Sequence, residues 1–518
     1  MKAVSPSITV LVILLVSPFS AVPKDLFRTF DIGYAGKLIR YHVEDLNNDG
    51  RKDLLLLLMR EDAQGRKRSW LSAFLQDSVG FRTRPFQEFS LPEQAILFDI
   101  GDVAGDQNKE FVYIVSGGVR YFSFTENGFD LTPHELFETE SIFMLPGGDS
   151  QLSLDFVSDL NGDSRDEVFM PQIRQCDVYH RNPDDTWRRN TIPLVCEANY
   201  SGFYDSRFSV GARANAVYST PYLLFQDMNA DGRRDLTGVY RDSLVVFCQA
   251  EDGLFSATCH HNIPIRLGKI WPGAKLQRTR FGDESVRTFL MRIVDMNDDG
   301  VPDAVSTRIS TEESIMNPET QVRIFFGKRD STNDHGFYFR DEPDQIVTPG
   351  GTQIVLDVVD LNGDGRQDLV SAVVKVGLKN IISMLLSRSV DVQAETYLQR
   401  QDGLFPSKPD LKNRMVVRFT FRGGATSPVY DIADFNGDGF PDLLSSLEEK
   451  MLVIFWGSQK NIFGSSVGAR INVKLPQDGE MVRAMHLNAD GKADIVIHYN
   501  EMTRHEDLRR NLRIMLAN

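Results

Sequence analysis

Apolar residues in this chain come in short runs separated by polar turns. Asp53-Leu-Leu-Leu-Leu-Leu58, Asp368-Leu-Val-Ser-Ala-Val-Val374 and Ala493-Asp-Ile-Val-Ile497 have strand length and many β-branched members. Each follows a polar nine-residue segment, and runs such as Ile39–Val43 and Ile354–Val359 precede one, so the segment joins the first and second strands of a unit. A second signature stands after a third strand: Gly80-Phe81, Gly128-Phe129, Asp252-Gly-Leu-Phe255, Gly336-Phe337 and Asp402-Gly-Leu-Phe405. It reads as the turn into a fourth strand, with the aromatic ring entering the packed layer between sheets as core rather than as a ligand contact. Four strands per unit, two apolar faces per sheet and a long repeat predict an all-β fold, a single closed β-propeller of four-stranded blades.

The nine-residue segment repeats along the chain. Asp45-Leu-Asn47-Asn-Asp49-Gly50-Arg51-Lys-Asp53 returns as Asp227, Asn229, Asp231, Gly232, Arg233 and Asp235, and as Asp295, Asn297, Asp299, Gly300, Val301 and Asp303. It returns again as Asp360, Asn362, Asp364, Gly365, Arg366 and Asp368, and as Asp434, Asn436, Asp438, Gly439, Phe440 and Asp442. Three copies are degraded: Asp159, Asn161, Asp163, Arg165 and Glu167 surround Ser164 in place of glycine; Asp102, Asp106, Asn108 and Glu110 lack both Asn and glycine; and Asn488, Asp490 and Asp494 follow His486 in place of the first Asp. The eight starts, at 45, 102, 159, 227, 295, 360, 434 and 486, predict eight blades, with seven as the alternative.

The chemistry follows from the spacing. Oxygen side chains at positions 1, 3 and 5 converge when the backbone curls, glycine at 6 permits the sharp turn, the position 7 carbonyl adds an oxygen, and a carboxylate at 9 closes the cage. A hard-oxygen set without thiolate or systematic imidazole suits calcium, with five sites expected and up to eight. The competing reading is a metal-free Asx turn, because Asn-x-Asp-Gly is also a plain turn sequence. An EF-hand is excluded: position 12 of the complete copies is Leu56, Gly238, Ser306, Ser371 and Ser445 instead of a bidentate Glu.

Closure is also readable. After the last loop only two strand candidates remain, Asp494–His498 and Asn511–Met515, while Lys24-Asp25-Leu26-Phe27 at the other end repeats the pattern of Asp402–Phe405. The N-terminal strand is therefore expected to complete the last blade. Ahead of it, Met1 and Lys2 precede the apolar run Ile8–Val16, which has the length of a secretory h-region, so residues 1–21 read as a signal peptide and 22–518 as the propeller. The expected location is secreted, periplasmic or at the cell surface, with no transmembrane segment after the signal. Four cysteines form two local pairs, Cys176 with Cys196 and Cys248 with Cys259, expected as disulfides in an oxidising compartment.

The formal charge of −15 argues against a nucleic-acid partner, and 42% hydrophobic with 25% charged residues is ordinary for a folded protein. The loops hold 23 carboxylates at positions 1, 5 and 9, so the acidity reads as a ligand inventory.

These loops resemble the FG-GAP or VCBS repeats of the integrin α N-terminal-like propeller superfamily, over essentially the whole chain after residue 21. The resemblance implies structural calcium at positions 1, 3, 5 and 9 and ligand binding by loops on one face of a monomeric ring. It points to a non-enzymatic binding, adhesion or assembly module for a protein or glycan. The alternative is a carbohydrate-active enzyme, since some calcium-dependent propellers resemble rhamnogalacturonan lyases. A lyase needs His, Tyr and Arg converging on a cleft, and His260, His261, Arg278 and Arg280 are only scattered candidates. Gly464-Ser-Ser466-Val-Gly468 matches a nucleophile elbow formally but lies between strands. The polar stretches Ser387–Gln401 and Thr311–Thr320 are the candidates for decorating one face, with solvated filler as the default reading.

Overall fold

The structure, a computed structural model, describes residues 26–61, 64–143, 152–203, 207, 213–219, 223–240, 243–256, 261–263, 269–270, 285–314, 318–330, 336–374, 389–418, 429–448, 450–460, 462–464, 467–501 and 503–518. The expected signal peptide lies outside them, as do Cys259, His260, Arg278 and Arg280.

The strands assemble into eight four-stranded antiparallel blades in a ring, with a short fifth strand added in parallel to blade 2 (Leu152–Ser153) and to blade 5 (Lys269–Ile270). Blade 1 runs Lys37–Glu44, Asp53–Glu61, Lys67–Phe74 and Gln87–Ser90, and blades 2 to 7 repeat that order. The first strands of neighbouring blades touch, as between blades 2 and 3, 4 and 5, and 7 and 8, which sets that edge toward the ring's centre. Blade 8 takes Val482–Met485, Asp494–Tyr499 and Asn511–Ala517 from the C-terminus and its outer strand, Phe27–Gly33, from the N-terminus. The register runs from Phe27 opposite Ala517 to Gly33 opposite Asn511. Arg513 grips Asp31 with both forks, at 2.7 and 2.8 Å, a bidentate geometry that makes the pair directional as well as attractive. Ring closure thus occurs where the sequence places it.

Strand periodicity explains the core. Leu54 to Leu58 are all at most 1% exposed because the second strand is covered on both faces. Leu55 and Leu57 pack with Phe98 and Phe111 of blade 2, whereas Leu54, Leu56 and Leu58 pack with Val496, Leu512 and Ile514 of blade 8. At about 1.5–3 kcal/mol for each fully buried leucine, these inter-blade layers are the main cohesive term. The repeated aromatics join them: Phe81, Phe129, Phe255, Phe337 and Phe405 are all buried.

Two expectations are corrected. Ser387–Gln401 is no surface decoration: Ser389–Tyr397 is the third strand of blade 6, pairing with Asp368–Val374 on one side and Leu411–Arg418 on the other. Of Thr311–Thr320, residues 311–314 form an exposed to half-buried bend after the second strand of blade 5, and only Glu319 and Thr320 enter its third strand, Thr320 opposite Ile309. An addition to the repeat appears elsewhere, as the hairpin Glu197–Phe203 with Arg213–Ser219 between blades 3 and 4. The disulfide between Cys176 and Cys196 is also absent. Both are free, buried thiols, and Cys176 donates to the Leu194 carbonyl at 3.2 Å. The hairpin register sets Ile192, not Cys196, opposite Cys176, so Cys196 approaches only through the turn beyond the strand end. The expected partner of Cys248, Cys259, lies outside the described residues.

Candidate metal loops and the face that carries them

In an antiparallel blade the connections between strands 1 and 2 and between strands 3 and 4 emerge on the same side. The nine-residue loops and the Gly-Phe turns therefore share one face of the ring. Each complete loop has the same internal network. In the first, Asp45 accepts the N–H groups of Asp49 (3.1 Å) and Gly50 (2.9 Å), Asn47 Oδ1 accepts from Asp49, and Asp49 Oδ1 accepts from Arg51 at 2.8 Å. Loops 4 to 7 repeat the contact of position 1 with the position 6 N–H, at 2.7–2.9 Å, from Asp227, Asp295, Asp360 and Asp434. Position 6 lies in the left-handed region, as in Gly50 at φ 81°, and Gln107 (75°) and Ser164 (68°) adopt it without being glycine. The degraded loops keep the fold of the complete ones and carry the strain of a side chain there.

The position 9 carboxylate does two jobs at once. In Asp53, Asp235, Asp303, Asp368, Asp442 and Asp494, one oxygen accepts the position 2 N–H at 2.9–3.1 Å. The other accepts an N–H just past the third strand, or from Ala517 at its end in the last blade, at 2.7–2.9 Å. The group is fully buried in all six, and burial pushes Asp53, Asp303 and Asp442 up to about 7, with the carboxylates at positions 1 and 5 adding to the effect. Where Glu replaces Asp, Glu110 Oε1 is buried without a hydrogen-bond partner and the group is pushed to about 8, again chiefly by burial. Glu167 instead meets Asn161 Nδ2 at 2.8 Å and His180 at 3.5 Å.

The donor set fits calcium: a half-buried carboxylate at 1, an exposed one at 5, an amide oxygen at 3, and a buried, charge-crowded carboxylate beneath them. In this conformation the oxygens are satisfied by backbone N–H groups, and among the described residues no three acidic, His or Cys side chains are gathered around one point. Arg51, Arg233 and Arg366, at position 7, also lie on the second oxygen of Asp49, Asp231 and Asp364, at 3.4, 2.5 and 2.5 Å. Val301 and Phe440 bring no such cation to loops 5 and 7. In loop 8, His486 Nδ1 contacts the Lys492 carbonyl, the position 7 oxygen, at 3.0 Å.

Two features escaped the sequence reading. The first is an amide latch. Asn190, on the outer strand Trp187–Ile192 of blade 3, donates to the Phe255 carbonyl (3.0 Å) and accepts its N–H (2.8 Å) in blade 4. Gln87 does the same for Phe129, Gln345 does so for Phe405, and Asn413 donates to the Phe463 carbonyl. The second is a loop-to-loop link. The position 8 N–H of Lys52, Lys109 and Gln367 donates to the position 2 carbonyl of the preceding loop at 2.8–3.0 Å, and that of Ala493 donates to the carbonyl of Asp434. At the next junction Asp166 accepts the Asp102 N–H and holds Lys109 at 2.7 Å.

His and Tyr meet at one place, with Arg510 and Arg483 near the two tyrosines. Tyr34 Oη lies 3.2 Å from His498 Nε2, with the Tyr41 ring beside it. This trio is packed between blades 8 and 1, and burial lowers His498 to about 4 and raises Tyr34 well above the usual phenol range. Those are the values of packed side chains.

A closed ring of eight four-stranded blades with a repeated Asx loop at the first turn defines the class as a β-propeller. An FG-GAP-like repeat family model matches residues 294–371, from the end of the first strand of blade 5 through loops 5 and 6. With the eight blades, that match supports an FG-GAP-like repeat β-propeller. No curated protein matches it. Among solved structures it is similar to an Agrocybe aegerita lectin, described for recognition of non-reducing terminal N-acetylglucosamine, at 13% identity over 88% of this chain and 91% of that one, with a TM-score of 0.40. It is also similar to BBS1N in complex with ARL6DN, at 8% identity over 95% and 98% of the two chains and a TM-score of 0.32. No described helix is long and apolar enough to cross a membrane.

Proposed function

We propose that this ring is an exported, non-enzymatic binding or assembly module whose loops in blades 1, 4, 5, 6 and 7 take calcium as a structural ion. One observation carries the binding reading. The cleft on the loop face between blades 6 and 7 is lined by amides, carboxylates, a lysine and aliphatic side chains, without the His, Tyr and Arg set of a lyase. Position 9 carboxylates and amide latches hold the surrounding turns to the strands, which suits presentation of a fixed surface. Bound calcium would sit among positions 1, 3, 5 and 9, offsetting carboxylates that otherwise repel one another.

The test is incubation of the full chain with uronate-containing polysaccharides in the presence of calcium, following the ultraviolet absorbance of an unsaturated product. No turnover is expected. Turnover that scales with protein concentration overturns the non-enzymatic reading. N-terminal sequencing of exported material, expected to begin near residue 22, tests the signal peptide separately.

A further inference from the structure

We propose that the position 7 arginines, Arg51, Arg233 and Arg366, act as resident cations that hold the calcium affinity of loops 1, 4 and 6 below that of loops 5 and 7, so that the ring loads calcium in two steps. The inference deepens the structural-calcium reading of the proposed function and rests on it. All five complete loops present Asp, Asn, Asp and Asp at positions 1, 3, 5 and 9, so the side-chain ligands alone would give five equal sites. The backbone does not separate them either: position 5 accepts the position 7 N–H in every one, at 2.8–3.0 Å.

What differs is the side chain at position 7 and where it lies. The Arg233 and Arg366 guanidinium groups rest on the second carboxylate oxygen of position 5 at 2.5 Å, and Arg51 does so at 3.4 Å. Arg233 is held at a second point, with Nε donating to the Gln249 carbonyl at 3.0 Å, whereas Arg366 Nε is buried without an acceptor. With the position 7 N–H on the first oxygen and the guanidinium on the second, both oxygens of the position 5 ligand are engaged by one residue. Loops 5 and 7 turn position 7 to packing instead. Val301 is buried in the core between blades 4 and 5, and the Phe440 ring lies over Gly363 of loop 6. In loop 5, Arg329 reaches the main-chain carbonyl of Asp299 at 3.5 Å rather than its carboxylate. In loop 7, the second oxygen of Asp438 accepts from the neutral Asn436 amide at 3.0 Å.

Charge runs the same way. Over the nine residues, loops 1 and 4 carry a formal −1, because Lys52 and Arg234 at position 8 add to the arginines, and loop 6 carries −2. Loop 7 carries −3 and loop 5, with Asp298, carries −4. Calcium affinity in oxygen-ligand loops rises with the negative charge around the ion. One fixed positive charge about 6 Å from a divalent ion lowers its binding about tenfold at the dielectric of water, and about threefold after salt screening. In the calcium-free ring the same arginines relieve repulsion among the carboxylates, so loops 1, 4 and 6 keep a cationic partner when empty, and loops 5 and 7 gain most from the ion.

The experiment is calorimetric titration of the chelator-stripped full chain with calcium, paired with native mass spectrometry at graded free calcium. Two ions are expected first, and three more at concentrations at least about threefold higher. Asp299→Asn should remove an ion from the first step, and Asp231→Asn one from the second. The triple variant Arg51→Gln, Arg233→Gln, Arg366→Gln keeps hydrogen-bond donors without charge and should tighten the second step about three- to tenfold, drawing it toward the first. Arg366→Lys, which keeps the charge, should leave the second step where it is. Phe440→Arg adds the cation to loop 7 and should move one ion from the first step to the second, in a chain that keeps its three arginines and so does not depend on the triple variant folding. Five ions in one step for the parent, a triple variant that titrates like the parent, or Phe440→Arg without effect overturns the arginine inference and leaves structural calcium standing. No calcium bound to any form overturns the calcium reading, and the inference with it.

Discussion

Replacing Asn190 with alanine tests whether blades are latched to one another by single amides. Phe255 forms an isolated bridge with Gln249, but the bridge hydrogen bonds belong to its neighbours, Ala250 N–H to Leu254 (2.8 Å) and Ser256 N–H to Cys248 (3.0 Å). The N–H and C=O of Phe255 are thereby turned away from their own blade, and Asn190, 8% exposed, meets both. Asn190→Ala leaves two buried backbone groups without partners, each costing about 1–3 kcal/mol, so a loss of roughly 2–6 kcal/mol is expected. Asn190→Asp keeps the acceptor and sets a carboxylate against the carbonyl, and should be no better than alanine above neutral pH. The assay is the denaturant midpoint at constant slope together with hydrogen exchange at the Phe255 amide. Asn182→Ala is the control, because that amide spans only an exposed turn to Thr186, and its effect should stay within about 0.5 kcal/mol. A loss below about 0.5 kcal/mol in Asn190→Ala, with Phe255 protection unchanged, would refute the latch.

Three further outcomes are expected. EGTA should lower the melting temperature of the calcium-loaded chain, and native mass spectrometry should count five calcium ions; an identical melting curve with and without chelator sinks the structural-calcium proposal. Asp99 accepts N–H groups from Ile100, Phe156 and Val157, yet burial raises it to about 7. A carboxylate raised in the folded state stabilises fully below its unfolded value near 4, and that contribution is lost as pH rises through about 7. Asp99→Asn should therefore flatten the decline in stability between about pH 4 and 7, and parallel urea midpoints for parent and variant contradict it. Ser164→Gly and Gln107→Gly, which relieve left-handed backbone, should each gain up to about 1 kcal/mol in denaturant midpoint; a loss in both would show that the side chains matter more than the backbone.

The sequence made the propeller legible because its signals are local. Blade period, strand runs, the Asx loop and the buried aromatics each lie within about a dozen residues, and even closure could be inferred by counting strands at the two ends. What stayed hidden depends on pairs far apart in the chain. Asn190 and Phe255 are 65 residues apart and Gln87 and Phe129 are 42 apart, and an isolated amide in an outer strand has no pattern to distinguish it from any surface Asn or Gln. The misreading of Ser387–Gln401 has a related cause: Ser389–Tyr397 is polar at alternate positions such as Asp391, Gln393 and Glu395, and Glu395 is buried only because Lys412, Tyr397 and the Gly350 N–H surround it. The local pairing does bring the Cys176 and Cys196 thiols into contact, although Ile192 holds the register position opposite Cys176, and they meet as two thiols rather than as a bridge.

The position 8 links change how the loops should be regarded. Each nine-residue segment is a turn within its blade through position 9, and loops 1, 2, 6 and 8 are also tied to the blade before them through position 8, so ordering one of these loops constrains a carbonyl of its neighbour. Pro302 and Pro441 occupy position 8 in loops 5 and 7 and have no N–H to give. The backbone tie is therefore missing between blades 4 and 5 and between blades 6 and 7. At the second of these junctions the blades are still joined on the same face by Asn413 and Phe463, and it is there that the cleft opens.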